Sequence, residues 1–162
     1  MTSMTANEVV VRQQRTIPAA PHRVYRAWLE PGVLLRWFGA APNTPKRIEV
    51  DERVGGRLAT YQVGADGQDA GGFECELLEL VPDERIVLLW RFCGPDRSVD
   101  PSHDSRVTVT LAPTPDGSAT DLTLVHERLE ALAATRPEMG EAVAAGWRKA
   151  LDNLVAAFAG AS

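Results

Sequence analysis

The stretch "TRPEMGEAVAAGWRKALDNLVAAFAG", from Thr135 to Gly160, limits the possible folds more than any other part of the chain. Met139, Val143, Trp147, Ala150, Leu154 and Phe158 step along it by threes and fours, which places one apolar stripe on a helix. Thr135 and Glu138 have the spacing of a capping box, Pro137 fits the first turn, and Gly160 is a natural stop. About 22 helical residues at 1.5 Å rise make a rod of ~33 Å, long enough to cross a whole sheet. A helix with one apolar stripe needs a facing surface on which to bury it.

The preceding sequence supplies that surface as strands. "EVVVRQQRTI" (Glu8 to Ile17) reads as a first strand with β-branched weight. "PAAP" breaks it. Pro21 opens a short helix in which Val24, Tyr25, Trp28 and Leu29 recur at helical spacing, and "EPG" (Glu30 to Gly32) stops it. A second short helix is expected over Val33 to Phe38, ended by Gly39 and a Pro-rich loop through Pro45. Then come "RIEVDERV", "RLATYQV", "FECELLEL", "RIVLLWRF", "RVTVTLAP" and "TDLTLVHE", separated by turn-forming Gly, Pro and Asp. The expectation is an α+β chain: a curved antiparallel sheet of about six to seven strands wrapped around the long C-terminal helix, with two short helices after strand 1. Such a sheet leaves a gap under the helix, where a small molecule can lodge.

A chain of 162 residues fits one domain, expected over residues 8–162, with residues 1–7 as a disordered tail. The formal net charge of −5 and pI near 5.2 argue against nucleic acid or anionic membrane as partners. Lysine occurs only at Lys46 and Lys149, and no basic run appears. No apolar run approaches the ~18 residues of a membrane span. Two cysteines, Cys75 and Cys93, without a secretory start point to free thiols and a cytoplasmic location.

With these elements in order, the chain resembles the START/Bet v 1-like (SRPBCC) helix-grip superfamily, in the branch similar to the C-terminal domain of the activator of the Hsp90 ATPase. The likeness runs from about Val9 to Gly160. It is carried by "IPAAPHRVYRAWLEPGVLLRWF", by Asp51, Gly55 and Gly56 in "VDERVGGRL", by "ELVPDERIVLLW", and by "TDLTLVHE" and "AGWRKALDNL". The resemblance implies a helix-grip fold. For function it implies a range: lipid and sterol carriers, polyketide cyclases or aromatases, self-sacrifice resistance proteins and chaperone co-factors.

Strand alternation proposes which side chains face the helix. These are Leu122, Leu124 and His126; Val107, Val109 and Leu111; Ile86, Leu88, Trp90 and Phe92; Phe73, Cys75 and Leu77; and Ala59, Tyr61 and Val63. The candidate ligand-binding set is Trp37, Phe38, Tyr61, Phe73, Trp90, His126, Met139 and Trp147, with simple core filling as the plainer alternative. Trp28 is expected to anchor the first short helix, and Trp37 with Phe38 to reach the rim of the gap. His126 titrates near neutrality, so it is one catalytic candidate; Tyr61, whose hydroxyl can donate to a ligand oxygen, is the other. Glu74 and Glu76, two apart on one strand face, are either an acid–base pair or solvated surface charge. Asp51 with Gly55 and Gly56 reads as turn chemistry. No metal site is expected, because His22, His103 and His126 are scattered and no ligand spacing occurs. "SHD" cannot adopt triad geometry, and "GADGQDAGG" lacks the residues of a phosphate loop.

The leading expectation is a non-catalytic domain that binds a small hydrophobic, aromatic or lipid-like molecule, with no cofactor. The alternatives are a cyclase-like or hydrolase-like enzyme using the same cavity, and a protein-interaction module of the chaperone-cofactor type. A homodimer is left open, and a chaperone partner is implied only by the resemblance.

Overall fold

The computed structural model describes residues 2–5, 8–38 and 43–159. Its elements run β1 (Thr2–Thr5), β2 (Glu8–Ile17), α1 (Pro21–Ala27), α2 (Pro31–Trp37), β3 (Thr44–Val50), β4 (Arg57–Val63), β5 (Asp69–Val81), β6 (Arg85–Trp90) and β7 (Phe92–Cys93). After a single 3₁₀ turn at Pro101–His103 come β8 (Ser105–Pro113), β9 (Thr120–Glu127), α3 (Glu130–Thr135) and α4 (Met139–Ala159). The strands form one antiparallel sheet in the order β1-β2-β9-β8-β6-β5-β4-β3, with β7 paired to β5. Seven strands are long. The fold is the expected α+β helix grip.

Alternation sets the faces. Along β9, Thr120, Leu122, Leu124 and His126 are buried while the residues between them are half-buried. Along β8, Ser105, Val107, Val109 and Leu111 turn inward in step with them. A one-residue slip would turn each of these sets outward, so burial fixes the register. Register shifts at Pro45/Arg47, Gln62/Val63 and Leu77/Glu79 bend the sheet, as bulges do. The concave face so formed holds α4, whose Trp147, Leu151 and Leu154 are buried in the core. Two polar ties fix the helix to β2. Gln13 Nε2 donates to the Ala144 carbonyl at 2.8 Å, and Arg15 Nε meets Asp152 Oδ1 at 3.0 Å.

Pro21 and Pro31 each occupy the first position of a helix, where the missing N–H costs no hydrogen bond. Pro31 and Gly32 therefore belong to α2, and the break between the helices lies at Trp28–Glu30. The expected stops at Gly39 and Gly160 lie outside the described residues. The Gly55-Gly56 turn is pinned to β5 by Gly55 N–H to the Leu77 carbonyl (2.8 Å) and Leu77 N–H to the Gly56 carbonyl (2.9 Å). Gly55 has φ of 86°, and a Cβ on Gly56 would sit 2.0 Å from the Asp51 carbonyl oxygen. Asp51 itself pairs with Arg53 Nε at 2.7 Å.

Two expectations require correction. Residues Thr2–Thr5, expected in a disordered tail, pair antiparallel with Glu8–Val11 and extend the sheet edge. The capping box at Thr135 and Glu138 is absent. Thr135 instead ends the separate helix α3, where its hydroxyl donates to the Ala131 carbonyl at 3.2 Å. That bond is the common alternative for a threonine hydroxyl on a helix.

Candidate functional site

A cavity of about 130 Å³ lies between the first half of α4 and the sheet end formed by β5, β6, β7 and β9. The sheet contributes Phe73, Trp90, Phe92 and His126, and Phe38 closes one side just after α2. The helix contributes two adjacent rows at i, i+4 spacing: Met139, Val143 and Trp147, and Ala142, Gly146 and Ala150. The second row is small, which keeps the helix from filling the gap. The rings touch one another around the wall. Phe73 and Trp90 have centroids 4.6 Å apart, Trp90 and Trp147 5.2 Å, and Phe38 and Trp147 6.0 Å. Such tilted and edge contacts hold each ring in place.

His126 is the one titratable side chain in this wall, and its bonding decides its state. The Trp147 indole Nε1–H donates to His126 Nδ1 at 3.0 Å. An indole can only donate, so Nδ1 carries no proton and the ring proton is on Nε2. Nε2 lies 2.7 Å from Ser105 Oγ, which in turn reaches the Trp90 carbonyl at 3.5 Å. Fully buried, the ring is held neutral, its pKa pushed down to about 3 by desolvation. Both nitrogens are engaged by protein groups and neither is offered to the cavity. Expected as a titrating catalytic candidate, His126 is instead a relay that ties β8, β9 and α4 together.

Phe38, Phe73, Trp90, His126, Met139 and Trp147 are thus brought to one cavity. Trp37 and Tyr61 are not. Trp37 is buried behind Phe38, its Nε1–H donating to the Ala27 carbonyl at 3.1 Å and its ring edge-on to Trp28 at 4.8 Å. Tyr61 lies on the opposite face of the sheet. Its ring is flanked by the guanidiniums of Arg47 (4.1 Å) and Arg97 (4.0 Å), and its hydroxyl accepts from Arg57 and donates to Glu49. Cation–π pairing explains why a tyrosine settles there. Glu74 belongs to the same outer network, bonded to Arg57 and Arg97. Burial alone would raise its pKa, but the two arginines hold it below the usual range. It is therefore an ion-paired surface carboxylate, and the two-carboxylate arrangement does not form.

Phe92, Ala142, Val143, Gly146 and Ala150 belong to the wall without having been among the candidates. Phe92 shares the Trp90 face by alternation, and Val143 and Ala150 lie on the apolar stripe of the helix, with Ala142 and Gly146 beside it; these signals were present in the sequence. Cys75 and Cys93 are free and buried, and burial raises both thiols, which makes neither a ready nucleophile. Among the described residues, no group of three or more His, Cys, Asp or Glu is placed to hold a metal ion, and no helix is long and apolar enough to cross a membrane.

A curved antiparallel sheet gripping one long C-terminal helix defines the helix-grip class of α+β domains. Residues 18–159 match the family described as Activator of Hsp90 ATPase homolog 1-like protein, and the chain belongs to that family. A protein of Chromobacterium violaceum of solved structure is 32% identical, with 95% of this chain and 98% of that one covered and a TM-score of 0.73. Proteins of Arthrobacter aurescens (22% identity, coverage 98% and 91%, TM-score 0.77) and Mycobacterium smegmatis (18%, 100% and 98%, 0.75) share the fold. No curated protein matches the chain.

Proposed function

We propose that the chain is a non-catalytic domain that binds a small hydrophobic molecule in the cavity between β5, β6, β7, β9 and α4. The observation that carries this reading is the cavity's make-up: seven aromatic or large apolar side chains and one polar ring whose nitrogens are already bonded. The cavity's volume of about 130 Å³ is on the scale of the ~150 Å³ cavity, lined by Leu, Ile and Phe, that takes up benzene. The catalytic alternative is disfavoured because His126 has no free nitrogen and Tyr61 lies outside. The interaction-module alternative finds little support in the surface. Trp28, Leu29, Leu34, Trp37 and Phe38 are buried, and among the described residues the large apolar side chains that are exposed are Leu35, Val54 and Val99. Two unbridged cysteines fit a reducing, cytoplasmic setting.

Calorimetric titration with toluene, a ring, and octanoate, a chain, tests the proposal. At least one should bind saturably at one site. Ala142→Trp, placed at the exposed rim of the cavity, should weaken that binding by about tenfold or more (about 1.4 kcal/mol) without changing the melting temperature. If neither compound binds, the proposal fails.

A further inference from the structure

We infer that the ligand is electrically neutral and presents a single ring to the cavity. This inference rests on the binding role proposed above and narrows it. The chemistry comes from what the wall lacks as much as from what it holds. The lining residues include no Lys, Arg, Asp or Glu. The wall's histidine cannot stand in for a cation: its Nδ1 is occupied by the Trp147 N–H and its Nε2 by Ser105.

An arginine-rich cluster, Arg47, Arg57 and Arg97 around Tyr61, is on the other face of the sheet and is matched there by Glu49 and Glu74. A carboxylate, sulfate or phosphate drawn into the cavity would meet no counter-charge. A buried ion without a counter-charge is strongly disfavoured and takes up a proton or stays in water. Neither indole N–H of the wall is presented to a ligand: Trp147's is spent on His126, and Trp90's is itself buried without a partner. A carboxylate needs several donors.

Size and shape give the rest. About 130 Å³ is the scale of one ring, and the wall on both sides is aromatic, so a flat ring gains tilted and edge contacts that a flexible chain does not. A chain would also lose rotational freedom on entering. A second ring has to project past Met139 and Ala142 toward solvent.

Acetophenone and benzoate are matched in size and differ in charge, and octanoate is an anionic chain. The three are titrated into the full chain at pH 7.5 by calorimetry. Acetophenone should bind at least about tenfold more tightly than benzoate or octanoate. Benzoate or octanoate binding as tightly as acetophenone overturns the inference while leaving a hydrophobic binding site in place. If toluene, octanoate and acetophenone all fail to bind, this inference and the binding role fall together.

Discussion

Acidification from pH 7 to pH 5 should destabilise the protein by about 2 kcal/mol through His126 alone. In the unfolded chain a histidine titrates near 6.5; in the fold His126 does so at about 3, because it is buried with no charged partner. Between those values the unfolded state binds a proton that the folded state refuses. Stability is therefore full above pH 6.5 and falls toward pH 3 with a limiting slope of about 1.4 kcal/mol per pH unit. At pH 5 the population-weighted difference is about 2 kcal/mol, and at pH 7 it is near zero. The structural cause is specific. Protonating Nδ1 would set an N–H against the Trp147 N–H, two donors facing each other at the present 3.0 Å.

Urea unfolding of wild type and His126→Gln at pH 7, 6 and 5 measures the effect. Glutamine offers an acceptor to Trp147 and a donor to Ser105 but does not titrate, so the variant should lose most of the pH dependence. His22 and His103 are present in both proteins and cancel in the comparison. Glu49, Glu52 and Glu74, whose pKa values are held below the usual 4.5, add losses of the same sign, but only at lower pH and in both proteins alike. A wild-type loss below about 0.5 kcal/mol by pH 5, or an equal loss in His126→Gln, would refute the assignment of a buried neutral imidazole.

Two other substitutions test the correction of the site and the rigidity of the frame. Tyr61→Phe keeps the ring between Arg47 and Arg97 and removes only hydroxyl bonds on the outer face. Toluene affinity should be unchanged by titration, and stability should shift by less than about 1 kcal/mol in urea. Gly56→Ala drives a Cβ to 2.0 Å from the Asp51 carbonyl oxygen, so the turn has to move and its two bonds to Leu77 are strained. A loss of roughly 2–4 kcal/mol is expected, seen as a fall in melting temperature on the order of 10 °C.

The fold was legible because burial imposes periodicity. β8 and β9 alternate cleanly, so the sequence placed Val107, Val109, Leu122, Leu124 and His126 on one face, as found. Trp147 and Leu154 followed from the helical stripe in the same way. Tyr61 went wrong because β4 is buried on both sides of its middle: Leu58, Ala59 and Thr60 are consecutive buried residues, and alternation then has no polar face to report. Trp37 went wrong for another reason. Spacing fixes which face of a helix a residue shares, but the packing of Trp37 against Trp28 and the Ala27 carbonyl depends on how α1 and α2 fold back on each other. The state of His126 was beyond sequence reasoning altogether. It depends on an indole from α4 and a hydroxyl from β8 meeting one ring, across separations of 21 residues in each direction.

That meeting also explains why a cavity persists where a packed core would be expected. Apolar walls gain by closing on each other, since each buried methylene is worth about 0.8 kcal/mol. Closure here would require Trp147 to move toward Phe73, and Trp147 is held by its hydrogen bond to His126. The bond cannot be given up cheaply, because it would leave both an indole N–H and an imidazole nitrogen buried without partners, at roughly 1–3 kcal/mol each. Ala142, Gly146 and Ala150 offer no side chain large enough to fill the space from the helix, and Phe38 is already engaged with Trp37 at 5.2 Å. The polar relay behind the wall and the small row on the helix act together: one keeps the large ring from swinging in, and the other leaves nothing to replace it.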